Sequence, residues 1–253
     1  MLDSEKSFGQ GGSMADLVED ILPPRRVHLL GGESDAGKTR FIIPALKEWE
    51  KGGLFLGKPG RPVPWAYVVG DRLLEEAYDT VRDMGFEPSS IPMIPAFGPD
   101  NKNWAQIVRA VVELKPIPSL LVIEGFGELV DDPPTRKRVR NFLSDVSAYC
   151  GPSTELPEGM TVLGIVESPK MKPSERYANP RQRISGVSAW GYHTSTVMLI
   201  ENEDPEGLSP DRTIWVCMKN AKRLKIAARF GPDNRLKDTL YDEPAAPAWL
   251  RKL

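Results

Sequence analysis

The sequence predicts an α/β protein with a mostly parallel central sheet flanked by helices and an antiparallel β extension at its C-terminal end. Three observations carry this. The apolar run Val27-His28-Leu29-Leu30 passes through a glycine-rich turn into the helix-like run Arg40-Phe41-Ile42-Ile43. Short apolar runs then alternate with amphipathic stretches, and the continuous run Leu120-Leu121-Val122-Ile123 reads as a strand covered on both faces. Late in the chain, residues 197–200, 213–218 and 226–230 are β-type runs separated by turns at 203–212 and 231–234.

In order, residues 1–14 are polar and glycine-rich and read as a disordered tail. Residues 15–22 read as a short amphipathic helix ended by Pro23-Pro24, which delivers the chain to the first strand. After the glycine-rich turn a helix is expected over 38–51, ended by Gly52-Gly53, with Pro44 as a point of bending. A Pro/Gly-rich connection leads to the strand Trp65-Ala66-Tyr67-Val68-Val69, closed by Gly70-Asp71. Leu73, Leu74, Ala77, Val81 and Met84 repeat at helical spacing. A short strand over 91–96, a helix over 103–114, the strand ending at Glu124, a basic helix over 135–149 and a buried strand over 160–166 follow. Residues 167–185 form a long polar stretch, and 242–253 a Pro- and Ala-rich arm. Residues 15–241 are thus expected to make one domain between a tail and an arm.

The totals agree with this. A chain of 253 residues with 40% apolar content can build one large core. The net charge of −2 gives no global excess that would attract nucleic acid, so any such binding needs a local patch. Cys150 and Cys217 match no metal or redox spacing and read as reduced core residues. His28 and His193 are isolated and support no metal site. No secretory leader or bilayer-length apolar run is present, so a cytoplasmic location, in a bacterium or a phage-infected host, is expected.

The turn after the first strand is Gly32-Glu33-Ser34-Asp35-Ala36-Gly37-Lys38-Thr39, followed by Arg40. Glycine, four residues, then Gly-Lys-Thr between a strand and a helix is a phosphate-binding loop. Backbone N–H groups of such a loop converge on phosphate oxygens at the positive end of the helix dipole. Lys38 would reach the β- and γ-phosphates of ATP, and the Thr39 hydroxyl would ligate Mg2+. A second acid at the end of a neighbouring strand is needed to hold that cation, and Glu124 is placed to supply it, unless it is a surface acid ending a strand. Hydrolysis further needs a group that activates water. Asp71 sits at a strand's carboxyl edge, where ligands bind in open α/β sheets. Its alternative role is the N-cap of the helix beginning near Leu73.

Two basic clusters remain. The polar stretch carries Lys170, Lys172, Arg176, Arg181 and Arg183 against the single acid Glu175, with Tyr177 among them. Such a loop suits phosphate-backbone contact and base stacking, and equally a solvated loop. Lys219-Asn220-Ala221-Lys222-Arg223-Leu224-Lys225 is open to nucleic-acid contact, a solvated hairpin, or charge supplied to a neighbouring subunit's nucleotide. The helix cluster Arg136-Lys137-Arg138 reads as a solvated face.

Taken together, these pieces resemble the RecA-like ATPases, in particular the hexameric replicative helicases of the RepA and DnaB type, over residues 21–230. The anchors are the phosphate loop, Gly53-Leu54-Phe55-Leu56-Gly57-Lys58-Pro59, Tyr67-Val68-Val69-Gly70-Asp71 and the 120–124 strand. Arg183-Ile184-Ser185-Gly186-Val187-Ser188-Ala189-Trp190 and Lys219-Asn220-Ala221-Lys222 add two late ones. The resemblance implies a RecA-like P-loop core that hydrolyses ATP with Mg2+ and acts on single-stranded DNA in replication or recombination. It implies a homo-oligomer, a ring (a hexamer in the relatives) or a filament, encoded by a phage or plasmid. Lys38 and Thr39 then bind phosphate and metal, Glu124 is the second acid and Asp71 the base. Lys219, Lys222 or Arg223 becomes the finger acting in trans, and residues 170–183 become the DNA loop. Three positions depart from the pattern: the base is aspartate rather than glutamate, the metal acid is glutamate rather than aspartate, and Glu167-Ser168 stands where the relatives sense γ-phosphate. These departures favour, as the alternative, an ATP-dependent assembly scaffold or loader with slow or absent hydrolysis. A small-molecule kinase is disfavoured because the chain continues well past the core and shows no arginine-rich lid.

Overall fold

A computed structural model describes residues 15–97, 102–130, 135–169, 181, 184, 189–202, 204, 209–219 and 223–238. Among them a nine-stranded sheet has the order β3-β2-β4-β5-β1-β6-β7-β8-β9. The strands are β1 (Val27–Gly32), β2 (Trp65–Val69), β3 (Met93–Pro95), β4 (Leu120–Ile123), β5 (Thr161–Glu167), β6 (Thr196–Glu201), β7 (Asp211–Met218), β8 (Arg223–Phe230) and β9 (Leu236–Asp238). The first six pair in parallel, and β6 through β9 pair antiparallel. The helices are α1 (Lys38–Trp49), α2 (Leu74–Asp83), α3 (Trp104–Glu113), α4 (Arg136–Cys150) and the short α5 (Ala189–His193).

Every residue of β1, β2 and β4 is buried, because helices cover both faces of the parallel part. Side chains alternate between two cores, as the two-residue period of a strand requires. Leu30, Tyr67, Val122 and Ile165 pack with Phe41, Ile42 and Leu46 of α1 and Val81 of α2. Leu29, Val68, Ile123 and Val162 pack on the other face with Ile107 and Val111 of α3 and Leu143 and Val146 of α4. The Asn103 side chain and Gln106 form a reciprocal cap at the start of α3, and Thr135 caps α4, so these two starts are set locally.

Three expectations are corrected. Residues 15–22 form no helix: Val18 bridges to Leu22 and to Gly60, and Asp20 adopts a left-handed φ of 59°. Leu17, Val18, Ile21 and Leu22 are all buried, and since two turns of helix are too short to hold by themselves, the bridges to Leu22 and Gly60 decide the conformation. The acid-bearing strand is not next to β1, because β5 lies between β4 and β1. Finally, β9 was not expected; the turn after β8 reverses through Asn234 (φ 60°) and pairs Leu236 with Phe230. Pro44 lies inside α1 and is buried there. Both cysteines are buried and free, and burial pushes the Cys150 thiol up to about 12. Residues 1–14 and 242–253, expected as tail and arm, lie outside the described residues.

In the middle of β5, Gly164 makes room for a ring. A Cβ there would stand 2.3 Å from Phe126, whose own ring packs on Phe142 (5.0 Å between centroids) and Trp190 (5.6 Å). With the ring held on its other sides, Gly164→Ala should lower stability by about 1–3 kcal/mol, the usual cost of overpacking. Urea denaturation measures this, and an unchanged midpoint would show that Phe126 can step aside.

Candidate nucleotide and metal site

Parallel strands end on a common edge, and four of them bring the expected residues together there. Gly32 ends β1 in register with Glu167 at the end of β5, and Asp71 and Glu124 follow β2 and β4. The two loops after β2 and β4 meet backbone to backbone. A Cβ on Gly70 would stand 2.3 Å from the Glu124 carbonyl oxygen, and Gly125, at φ 65°, leaves 2.8 Å to the Asp71 Cβ. Only glycine permits this approach, which sets Asp71 beside Glu124.

The loop from Gly32 leads to Gly37, the left-handed N-cap of α1 at φ 93°. A Cβ on Gly37 would stand 2.4 Å from Phe230, the last residue of β8, whose ring also carries the Arg212 guanidinium at 5.0 Å. Lys38 folds back over the loop: its Nζ donates to the carbonyl oxygens of Gly32 (3.0 Å) and Glu33 (2.8 Å). Burial lowers the Lys38 pKa, while the carboxylates of Glu167, Asp71, Glu124 and Asp35 oppose that shift. Ala36 is buried, and Ser34, Asp35, Gly37, Lys38, Thr39 and Arg40 line a cleft of about 1120 Å³ with Asp71, Glu124 and Glu167. Arg40 reaches sideways, donating to the Asn234 carbonyl at 3.4 Å and lying 3.7 Å from Asp83.

Thr39 and Glu124 meet directly: the hydroxyl donates to Glu124 Oε1 at 2.7 Å. A hydroxyl and a buried carboxylate on one spot are hard oxygen donors that fit Mg2+, which takes few protein ligands and completes its shell with phosphate and water. Among the described residues no three His, Cys, Asp or Glu side chains cluster as a metal group, and this mode of binding needs none.

Asp71 reaches solvent on one side, yet partial burial and the Glu124 charge raise its pKa to about 6, against the pull of Arg72 and Lys38. The capping alternative does not hold: α2 is capped at Leu73 with no side-chain hydrogen bond. The Tyr67 phenol, on the same side as Thr39, is pushed well above its ordinary value by burial and then by the Glu124 charge.

Arg72, which sequence reasoning passed over, is the most connected side chain of the cleft. Its Nε donates to Glu124 Oε2 at 3.0 Å, Nη2 donates to Glu124 Oε1, and Nη1 donates to Thr80 Oγ1 on α2 at 3.0 Å. Nη2 also lies 3.4 Å from Thr39 Oγ1. Burial disfavours its charge, but the Glu124 carboxylate more than offsets this and the pKa is raised. The available sign was a cation directly after the expected base. Phe230 gave none, since its contact depends on where the β extension folds.

The basic clusters fare differently. Lys219 and Arg223 are exposed, and the pairing of Met218 with Thr196 places them at the opposite edge of the sheet from the cleft. Lys222, Lys170, Lys172, Arg176 and Arg183 lie outside the described residues. Arg181 is turned inward: Nη1 donates to the carbonyls of Gly191 (2.7 Å) and Thr194 (3.1 Å), and Nη2 to those of Ser195 (2.6 Å) and Cys217 (2.7 Å). This corrects its expected place among the DNA-binding cations, because its donors already serve four backbone acceptors.

Two outcomes follow from this geometry. In the nucleotide-free chain the Asp71 carboxyl should titrate near 6 by carbon NMR, and Glu124→Gln should lower that value by removing a raising charge. The sign for stability is that the folded chain keeps a proton the unfolded chain has released between its ordinary 3.8 and about 6, so this group's contribution falls as pH rises through that window. Separately, Arg181→Met should cost on the order of 3 kcal/mol in a denaturant melt by orphaning four carbonyls; a loss under about 0.5 kcal/mol, as for an exposed cation, would return Arg181 to the surface.

No protein-family model matches this chain and no curated protein matches it, so what the cleft does is argued from its side chains.

Proposed function

We propose that this chain is an ATP-binding and ATP-hydrolysing P-loop protein with a RecA-like core, working with Mg2+ on single-stranded DNA. The observation that carries the reading is the meeting of Thr39 and Glu124 under a glycine loop that also holds the Lys38 ammonium. Backbone N–H groups of residues 33–38 and the Lys38 cation would receive the phosphates, and Thr39 with Glu124 would hold the metal, which screens phosphate charge. Asp71 would take the proton of the attacking water as its oxygen bonds to the terminal phosphorus and the bond to the ADP oxygen breaks. A base with a pKa of about 6 is suited to that work near neutral pH.

The placement of the basic hairpin is what supports assembly. The cleft opens at one edge of the sheet, and Lys219 and Arg223 stand at the other. A cation cannot reach its own chain's cleft from there, so a finger role requires the next copy in a head-to-tail ring or filament, a heterologous contact. The DNA loop and the replication or recombination role rest on the resemblance. A cytoplasmic setting, in a bacterium or phage-infected host, goes with this reading; among the described residues no helix is long and apolar enough to cross a membrane.

One observation favours the alternative of an assembly scaffold with slow hydrolysis. Glu167 lines the cleft beside Lys38, where its negative charge would repel a terminal phosphate. Steady-state ATP hydrolysis with and without single-stranded DNA decides between the two. Strong stimulation by DNA, with turnover falling on the order of 100-fold or more in Lys38→Ala, is expected of the motor. Tight ATP binding with negligible turnover at any DNA concentration would leave the scaffold, and no ATP binding would overturn both.

A further inference from the structure

Glu124 is 4% exposed, and a carboxylate that deep needs a compensating charge. Arg72 supplies it by taking both oxygens. The same guanidinium edge lies 3.4 Å from Thr39 Oγ1, which itself donates to Glu124 Oε1 at 2.7 Å. One N–H group therefore occupies the point where hydroxyl and carboxylate converge.

From this geometry, and resting on the nucleotide reading above, we infer that Arg72 is an exchanging gate on the cation position: its guanidinium stands in for the divalent cation between Thr39 and Glu124, and the two occupy Glu124 in turn. The guanidinium and a cation would claim the same oxygen lone pairs, and they repel each other in a site with little water to screen them. Arg72 also has somewhere to go. Its side chain is about a quarter exposed (24%), it lines the cleft, and its third nitrogen is tethered to Thr80 on α2 rather than to the metal ligands. A guanidinium released from Glu124 keeps its fork of donors inside the cleft, where a nucleoside triphosphate brings oxyanions of matching geometry. Arg72 is in this sense a positioning residue that converts arrival of the metal–nucleotide into a side-chain movement. Its partner in that conversion is Thr80, at the point where α2 could sense the change.

Mn2+ titration followed by electron paramagnetic resonance tests this on the full chain, first with Mn2+ alone and then with saturating ATP. Arg72→Gln should bind Mn2+ about tenfold more tightly than the native chain, the effect of removing a charged hydrogen-bond competitor. Thr80→Val, which loosens Arg72 without touching Thr39 or Glu124, should shift affinity the same way by about threefold, within the worth of one hydrogen bond; this variant decides the matter if Arg72→Gln does not fold. Equal or weaker Mn2+ binding in the variants would make Arg72 a fixed strut and overturn the inference, as would no Mn2+ binding by any of the proteins. ATP binding in the presence of Mg2+ is measured in parallel. Its absence from the native chain would overturn the nucleotide reading alone, while tighter Mn2+ binding in the variants would still support the gate.

Discussion

The hydrogen bond between Thr39 and Glu124 joins residues 85 apart in sequence, and most of the architecture serves to make it possible. It needs α1 to begin where β1 stops, which the left-handed Gly37 arranges, and it needs β4 to end at the same height two positions across the sheet. Register supplies the height: β1 aligns with β5, β5 with β4 and β4 with β2, so one sheet edge collects Gly32, Glu167, Glu124 and Asp71. A slip of one residue in any of these pairings would turn every side chain of that strand to the other core, which is why two fully covered faces fix the site so firmly.

Charge balance is the second constraint. Asp71, Glu124, Glu167 and Asp35 bear on the Lys38 ammonium, Arg72 is the cation bonded to the most buried of them, and Arg40 and Lys102 also line the cleft. Among the described residues the lining carries five acids against four cations, a small negative excess that Arg72 eases at the most buried acid and Asp71 eases by keeping a proton up to about pH 6. A triphosphate alone would add to that excess. Under the proposed function its divalent cation is what would make binding electrostatically favourable, so metal and nucleotide are expected to bind as one species.

The parallel half of the fold was legible because two-sided burial writes itself into the chain as unbroken apolar runs, as in 65–69 and 120–123. The turn between β1 and α1 was legible because its glycines mark where the chain must leave a strand and enter a helix through a left-handed residue, here Gly37. Residues 15–22 misled, since apolar residues at 17, 18, 21 and 22 fit a helix face and a buried bend equally well, and only contact with Gly60 chooses between them. Arg181 misled for a related reason: composition assigns cations to solvent, whereas here four carbonyls left over between α5, β6 and β7 claim one. Arg72 and Phe230 owe their places to contacts across 52 residues and across the whole domain, respectively, and such pairings leave no local periodicity.

The contact of Phe230 with Gly37 has a mechanical consequence. β8 is an eight-residue strand hydrogen-bonded to β7 along its length, hence a stiff bar of about 26 Å at 3.3 Å per residue. One end bears on the glycine loop at Gly37 with no clearance for even a methyl group, and the other end is Arg223. The loop and the far basic edge are therefore the two ends of a single lever: displacement at one cannot be absorbed as slack between ring and glycine, and has to be taken up as tilt of the strand or bending of the sheet.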